Sequence, residues 1–76
     1  MSTAPHHIAA PRLLRLPAVL ECVGLGRSRV YELVAKGRFP APVKLSERAI
    51  AWSADEVDAW VRERIAERDA AAVAAG

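Results

Sequence analysis

Only one cysteine, Cys22, occurs in the 76 residues of this chain. A single thiol excludes an internal disulfide and a zinc site built from clustered thiolates, and it fits a reducing compartment. Cys22 is expected half-buried on a helix rather than reactive, because a reactive thiolate needs an electropositive setting. The chain also lacks any uninterrupted apolar stretch near the roughly 20 residues a transmembrane helix requires. Its opening residues lack the basic-then-apolar layout of a secretory signal, so a cytoplasmic protein without membrane contact is expected. Groupings suited to catalysis are missing too. The serines have no histidine beside them in the patterned region, and the carboxylates spread along one helix face instead of converging. His6 and His7 stand together near the start without a carboxylate or thiolate partner, so no metal site is expected there. We therefore read no active site, no enzyme activity and no cofactor.

What is present limits the architecture. A chain of this length supports one small domain with a modest core. Its 53% hydrophobic content is inflated by alanine, but Leu, Val, Ile and both tryptophans are distributed from Leu13 to Ile65 in helical and strand patterns. Residues 1–11 carry two prolines and no periodicity and read as a flexible arm. Residues 12–68 form the patterned domain. Residues 69–76 are alanine-rich with no stripe to bury and read as a fraying tail.

Within 12–68 the segment LPAVLECVGLGRSRVYELVA, from Leu16, places Val19, Val23, Leu25, Val30 and Leu33 where two short helices must bury their inward side chains. After an extended lead-in at Leu13–Leu16, Pro17 suits the first turn of a helix that runs to about Val23. Val19, Leu20 and Val23 form its stripe, and Gly24 makes the tight turn because glycine tolerates positive φ. Gly26 is the expected N-cap of the second helix, with Leu25 and Val30 spaced as a hydrophobic staple. Val30, Leu33 and Val34 face inward, and Gly37 stops the helix. Pro40 and Pro42 then forbid a helix.

Val43 and Leu45 alternate with Lys44, as Ile50 and Trp52 alternate with Ala51, so a hairpin around Ser46–Ala49 is expected to share one apolar face. Ser53 and Glu56 form a capping box and Trp52 a staple with Val57, opening a third helix whose stripe is Val57, Trp60, Val61 and Ile65. Both tryptophans fall on apolar stripes, which favours packing over base stacking. The predicted fold is mainly α with a small β-hairpin: a winged helix-turn-helix of three helices plus a wing.

Charge is polarised along the chain. Between residues 27 and 48, Arg27, Arg29, Lys36, Arg38, Lys44 and Arg48 face only Glu32 and Glu47, a local net of +4 within an overall +2. From Ser53 onward acids outnumber arginines for a net of −3. Such a layout suits a domain that presents its centre to a polyanion and turns its last helix away. Arginine in a first helical turn opposes the helix dipole unless an anion compensates, and a phosphate backbone is one.

In a unit of this kind the first turn of the second helix enters the major groove of duplex DNA. Arg27, Ser28 and Arg29 are then the side chains placed to reach base edges. Tyr31 is expected at the edge of the core with its hydroxyl within reach of a phosphate. Lys44 and Arg48 sit on the wing, near phosphates or the minor groove. Lys36 and Arg38 serve either backbone steering or solubility.

Three stretches carry a resemblance to a known family: R-S-R-V-Y at Arg27–Tyr31, G-R-F-P-x-P-V at Gly37–Val43, and R-A-I-A-W at Arg48–Trp52. The similarity as a whole covers roughly Arg12 to Arg64. The chain resembles the AlpA family of prophage regulators, relatives of phage excisionases and of the MerR-type winged helix-turn-helix. It departs from the pattern at Gly26, where members often carry a serine cap. Glycine there gives up a side-chain hydrogen bond at a cost of a few tenths of a kcal/mol.

The resemblance implies a nucleoid-associated protein of mobile-element origin that binds specific double-stranded DNA as an excisionase or as a transcriptional regulator. A module burying roughly 600–1,000 Å² on DNA binds modestly alone, so a phage integrase or a homo-oligomer on repeated sites is expected as a further partner. The alternative from another class is a protein-interaction module, such as an antitoxin or adaptor, that uses the acidic third helix.

Overall fold

The computed structural model describes residues 10–75; His6, His7 and most of the expected leading arm lie outside them. Helix α1 spans Leu16–Val23 with Pro17 in its opening turn, where the missing N–H leaves no intrahelical bond unmade. It ends at Gly24, whose φ of 73° lies in the left-handed region that glycine enters without a steric penalty.

Helix α2 spans Arg27–Ala35 beyond Gly26, an extended N-cap with no side-chain hydrogen bond. Its far end closes as a Schellman motif: Arg38 N–H donates to the Leu33 carbonyl at 2.8 Å and Gly37 N–H to that of Val34 at 3.0 Å, with Gly37 at φ 72°. The bihelical unit thus has the ends that its glycines predict.

Strands β1 (Leu13–Leu14), β2 (Val43–Lys44) and β3 (Ile50–Ser53) form an antiparallel sheet in the order β1-β3-β2. The lead-in is therefore more than extended chain. It pairs with β3, Leu13 opposite Ser53 and Leu14 opposite Trp52, which adds a third strand to the expected hairpin. The hairpin register also differs from the alternation pattern. Val43 lies opposite Ala51 and Lys44 opposite Ile50, and residues directly opposite share a face.

Ile50 and Trp52 consequently face inward with Leu14, while Val43 and Leu45 fall on the other face with Leu13. A shift of one residue moves every side chain of a strand to the opposite side. Leu13, Val43 and Leu45 are accordingly 49%, 41% and 47% exposed around a buried Ala51. The single apolar face expected for the wing is split in two.

The core gathers Val19 of α1, Val30 and Leu33 of α2, Phe39, Trp52 of β3 and Val57, with Leu14, Leu20, Val34, Ile50 and Trp60 packed around it. Val19, Val30, Trp52 and Val57 lose all exposure, and each valine so buried is worth about 1.5–3 kcal/mol. Cys22, expected half-buried, is exposed: three residues on from Val19, it falls on the flank of α1 beside the buried stripe.

Helix α3 spans Ala54–Ala75 and starts at its cap, the Ser53 hydroxyl accepting the Glu56 N–H at 3.2 Å. The expected stripe is buried only at its beginning: Val57 is fully covered, Trp60 and Val61 partly, and Ile65 is 46% exposed. The helix then runs on to Ala75, well past Arg68, through alanines that are the best intrinsic helix formers. No helix among the described residues is long and apolar enough to cross a membrane.

Candidate nucleic-acid interface

Helix α2 turns one side to the core and the other to solvent. At about 100° per residue, Val30, Leu33 and Val34 mark the inner side, and Ser28, Glu32 and Ala35 stand opposite. Arg27 and Arg29 fall on different flanks with Ser28 between them, so the first turn carries two arginines that diverge rather than one patch. All three are exposed. This first turn contains no acid to complement the positive end of the helix dipole, and of its two arginines Arg29 is paired with a carboxylate one turn on.

Tyr31 is 41% exposed, with its ring tilted at 59° and 6.3 Å from that of Trp52. That places it at the rim of the core beside the sheet. On the other flank Arg29, Lys36 and Arg38 come together with Leu33 around a shallow depression. Lys44 and Arg48 are exposed on the wing, whose turn is closed by the Leu45 N–H on the Ala49 carbonyl at 2.7 Å and by the Arg48 N–H on the Ser46 hydroxyl at 3.4 Å.

The segment joining α2 to the wing is held by both indoles. Trp52 Nε1 donates to the Pro40 carbonyl at 2.9 Å and Trp60 Nε1 to the Arg38 carbonyl at 2.8 Å. Phe39 lies between them in sequence, buried, and meets the Trp60 ring edge-on at 5.0 Å. The tryptophans therefore pin the wing to the helix pair as scaffold. Trp60 is partly exposed, and the Arg64 guanidinium lies 4.7 Å from its ring centroid. Above Trp60 and Phe39 an open groove of about 870 Å³ runs between α2 and α3, edged by Arg29 and Arg38 on one side and Glu56, Glu63 and Glu67 on the other.

One charged side chain was not singled out from the sequence. Glu32 stands on the solvent ridge of α2 and receives Arg29 Nη1 at 2.8 Å on one carboxylate oxygen and Lys36 Nζ at 3.1 Å on the other. The Arg29 hydrogen bond, then that from Lys36, holds this carboxyl below the usual carboxylate range. The i, i+3 and i, i+4 spacing of the three residues was the available signal.

These elements define a small winged helix-turn-helix protein with an exposed, cation-bearing second helix. The chain belongs to the AlpA family of prophage regulatory proteins: the family model described as Prophage CP4-57 regulatory protein (AlpA) matches residues 12–65. It is 48% identical over 61 residues to the uncharacterized protein ORF88 of Enterobacteria phage P4, covering 80% of this chain and 69% of that protein. It is 31% identical over 62 residues to the DNA-binding transcriptional activator AlpA of Escherichia coli K12, covering 74% of this chain and 89% of the other. No solved structure matches the chain.

Proposed function

We propose that this protein is a sequence-specific double-stranded DNA-binding regulator of mobile-element origin. Helix α2 enters the major groove, with Arg27, Ser28, Arg29 and Tyr31 nearest the bases and their phosphates. Lys44 and Arg48 of the wing meet phosphates or the minor groove, and Lys36 and Arg38 lie along the backbone. The observation that carries this reading is the first turn of α2, where exposed arginines flank an N-terminus that has neither a capping side chain nor an acid. That arrangement is unfavourable in isolation and favourable against a polyanion.

The likeness to a transcriptional activator over most of its length supports control of a promoter as the leading role. Excision uses the same surface together with an integrase, and a promoter fusion beside an in vitro excision assay separates the two. The groove between α2 and α3, with its acidic edge and partly exposed Trp60, favours an accompanying protein contact there.

The test is a titration of duplex DNA with the double variant Arg27→Ala/Arg29→Ala. Both side chains are exposed, so the variant is expected to melt with the parent and lose specific binding. A bidentate arginine–guanine contact supplies about 1–3 kcal/mol of discrimination. Protection of the same site at the same concentration by the variant would remove α2 from the groove.

A further inference from the structure

Resting on the DNA-binding reading above, we propose that Glu32 is a specificity-determining residue that accepts a hydrogen bond from the N4 amino group of a cytosine in the major groove. Glu32 lies about 200° round α2 from the buried Val30, at the centre of the face turned to solvent. A carboxylate on a helix that approaches phosphates is repelled by them. On this helix the repulsion is offset within the protein, since Arg29 and Lys36 bracket the group from one turn before and one turn after. They also hold the carboxyl below the usual carboxylate range, first through the Arg29 hydrogen bond and then through that of Lys36. The two cations occupy one site on each oxygen, and an ionised carboxylate offers roughly four, so acceptor capacity remains on both oxygens.

An acceptor without a donor discriminates among base edges. Guanine offers N7 and O6 acceptors, thymine an O4 acceptor and a methyl group, and adenine sets an acceptor beside its amino group. Cytosine alone presents a donor amino group with no acceptor next to it on the same base. Arg29 keeps further N–H groups free after bonding Glu32. The Arg29–Glu32 pair thus presents donors beside an acceptor, the complement of a guanine–cytosine edge.

The experiment sequences the duplexes retained from a randomised pool at one fixed salt concentration by the parent, E32A and E32Q, with a melting curve for each protein. The parent is expected to enrich a motif containing a required cytosine. E32A, melting with the parent, is expected to lose discrimination at that position by roughly 5-fold, the lower end of what a bidentate contact supplies, and to keep the other positions. E32Q is expected to move the preference to adenine, which a side-chain amide reads through N6 and N7. Gln retains an acceptor for Arg29, so a switch to adenine does not follow from a disoriented arginine.

Motifs unchanged in both variants, with affinity raised by the same factor on every duplex, overturn the proposal and leave Glu32 as a charge alone. A parent protein that enriches no motif overturns the DNA-binding reading itself, which keeps the two failures apart.

Discussion

The two faces of α2 do different work on nine residues of backbone. The inner face loses nearly all its exposure at Val30 and Leu33 and is held by Val19, Phe39 and Trp52. The outer face carries Arg29, Glu32 and Lys36 in ion pairs that are about half exposed, and such surface pairs add little to stability. Stability and recognition are therefore separable by substitution. Residues at the inner face decide whether the helix exists in place, and on the proposed function those at the outer face decide what it meets.

The largest expected effect is at the inner face. Trp52→Ala removes the largest fully buried side chain and the hydrogen bond to Pro40 that anchors the wing. It is expected to cost about 3–5 kcal/mol, a large share of the stability of a small domain. Chemical denaturation measures it. A loss below about 1 kcal/mol, close to what the double arginine variant should show, would erase the distinction between the faces.

Next comes the wing. Replacing Lys44 and Arg48 together is expected to weaken binding to all duplexes alike. Each phosphate contact contributes about −0.9 to the slope of log affinity against log salt, so the slope should become shallower by about 1.8. Titrations over a range of salt decide it, and an unchanged slope would confine recognition to α2.

The smallest effect is expected where the two faces meet, at the N-cap. Gly26 has an ordinary extended backbone, and a Cβ placed on it finds nothing within 4 Å. Gly26→Ser should supply the absent cap hydrogen bond, adding a few tenths of a kcal/mol and raising the melting temperature by about 1–3 °C. A lower melting temperature would show that the first-turn amides already have a better partner in the native chain.

The split of the sheet marks a limit of pattern reading. Alternation identified Val43, Leu45, Ile50 and Trp52 as strand residues, but which of them share a side depends on how the turn and the partner strand set the register. Two strands that each alternate can be paired in phase or one residue out of phase, and the periodicity is the same in both. The stripe of α3 shows a related limit. Its spacing predicts Val57, Trp60, Val61 and Ile65 on one side, yet the body of the domain reaches only its beginning, so Ile65 stays exposed.

Of the expected binding residues, Arg27, Ser28 and Arg29 are exposed on α2 and Lys44 and Arg48 on the wing. The exposure of Ser28 and Arg29 follows from helix periodicity, whereas Lys44 is exposed although the register sets it on the same face as Ile50. The divergence of the two arginines was readable from the same wheel, and the neutralised Glu32 from its spacing to Arg29 and Lys36.

By itself the sequence determined where the helices of the bihelical unit begin and end and where the third helix begins. Pro17, Gly24, Gly37 and the Ser53–Glu56 cap act through backbone torsion and hydrogen bonds that reach no more than about five residues along the chain. It determined as well that the middle of the chain is basic and the last helix acidic. Only the tertiary structure decided that Leu13–Leu14 becomes a strand, that Lys44 opposes Ile50, that Cys22 faces out, and that two indoles tie down the linker between Gly37 and Pro42. The strand pairing of Leu13–Leu14 and the two indole bonds depend on partners far along the chain, and such pairings are set by which surfaces the assembled core brings within a few ångströms of one another.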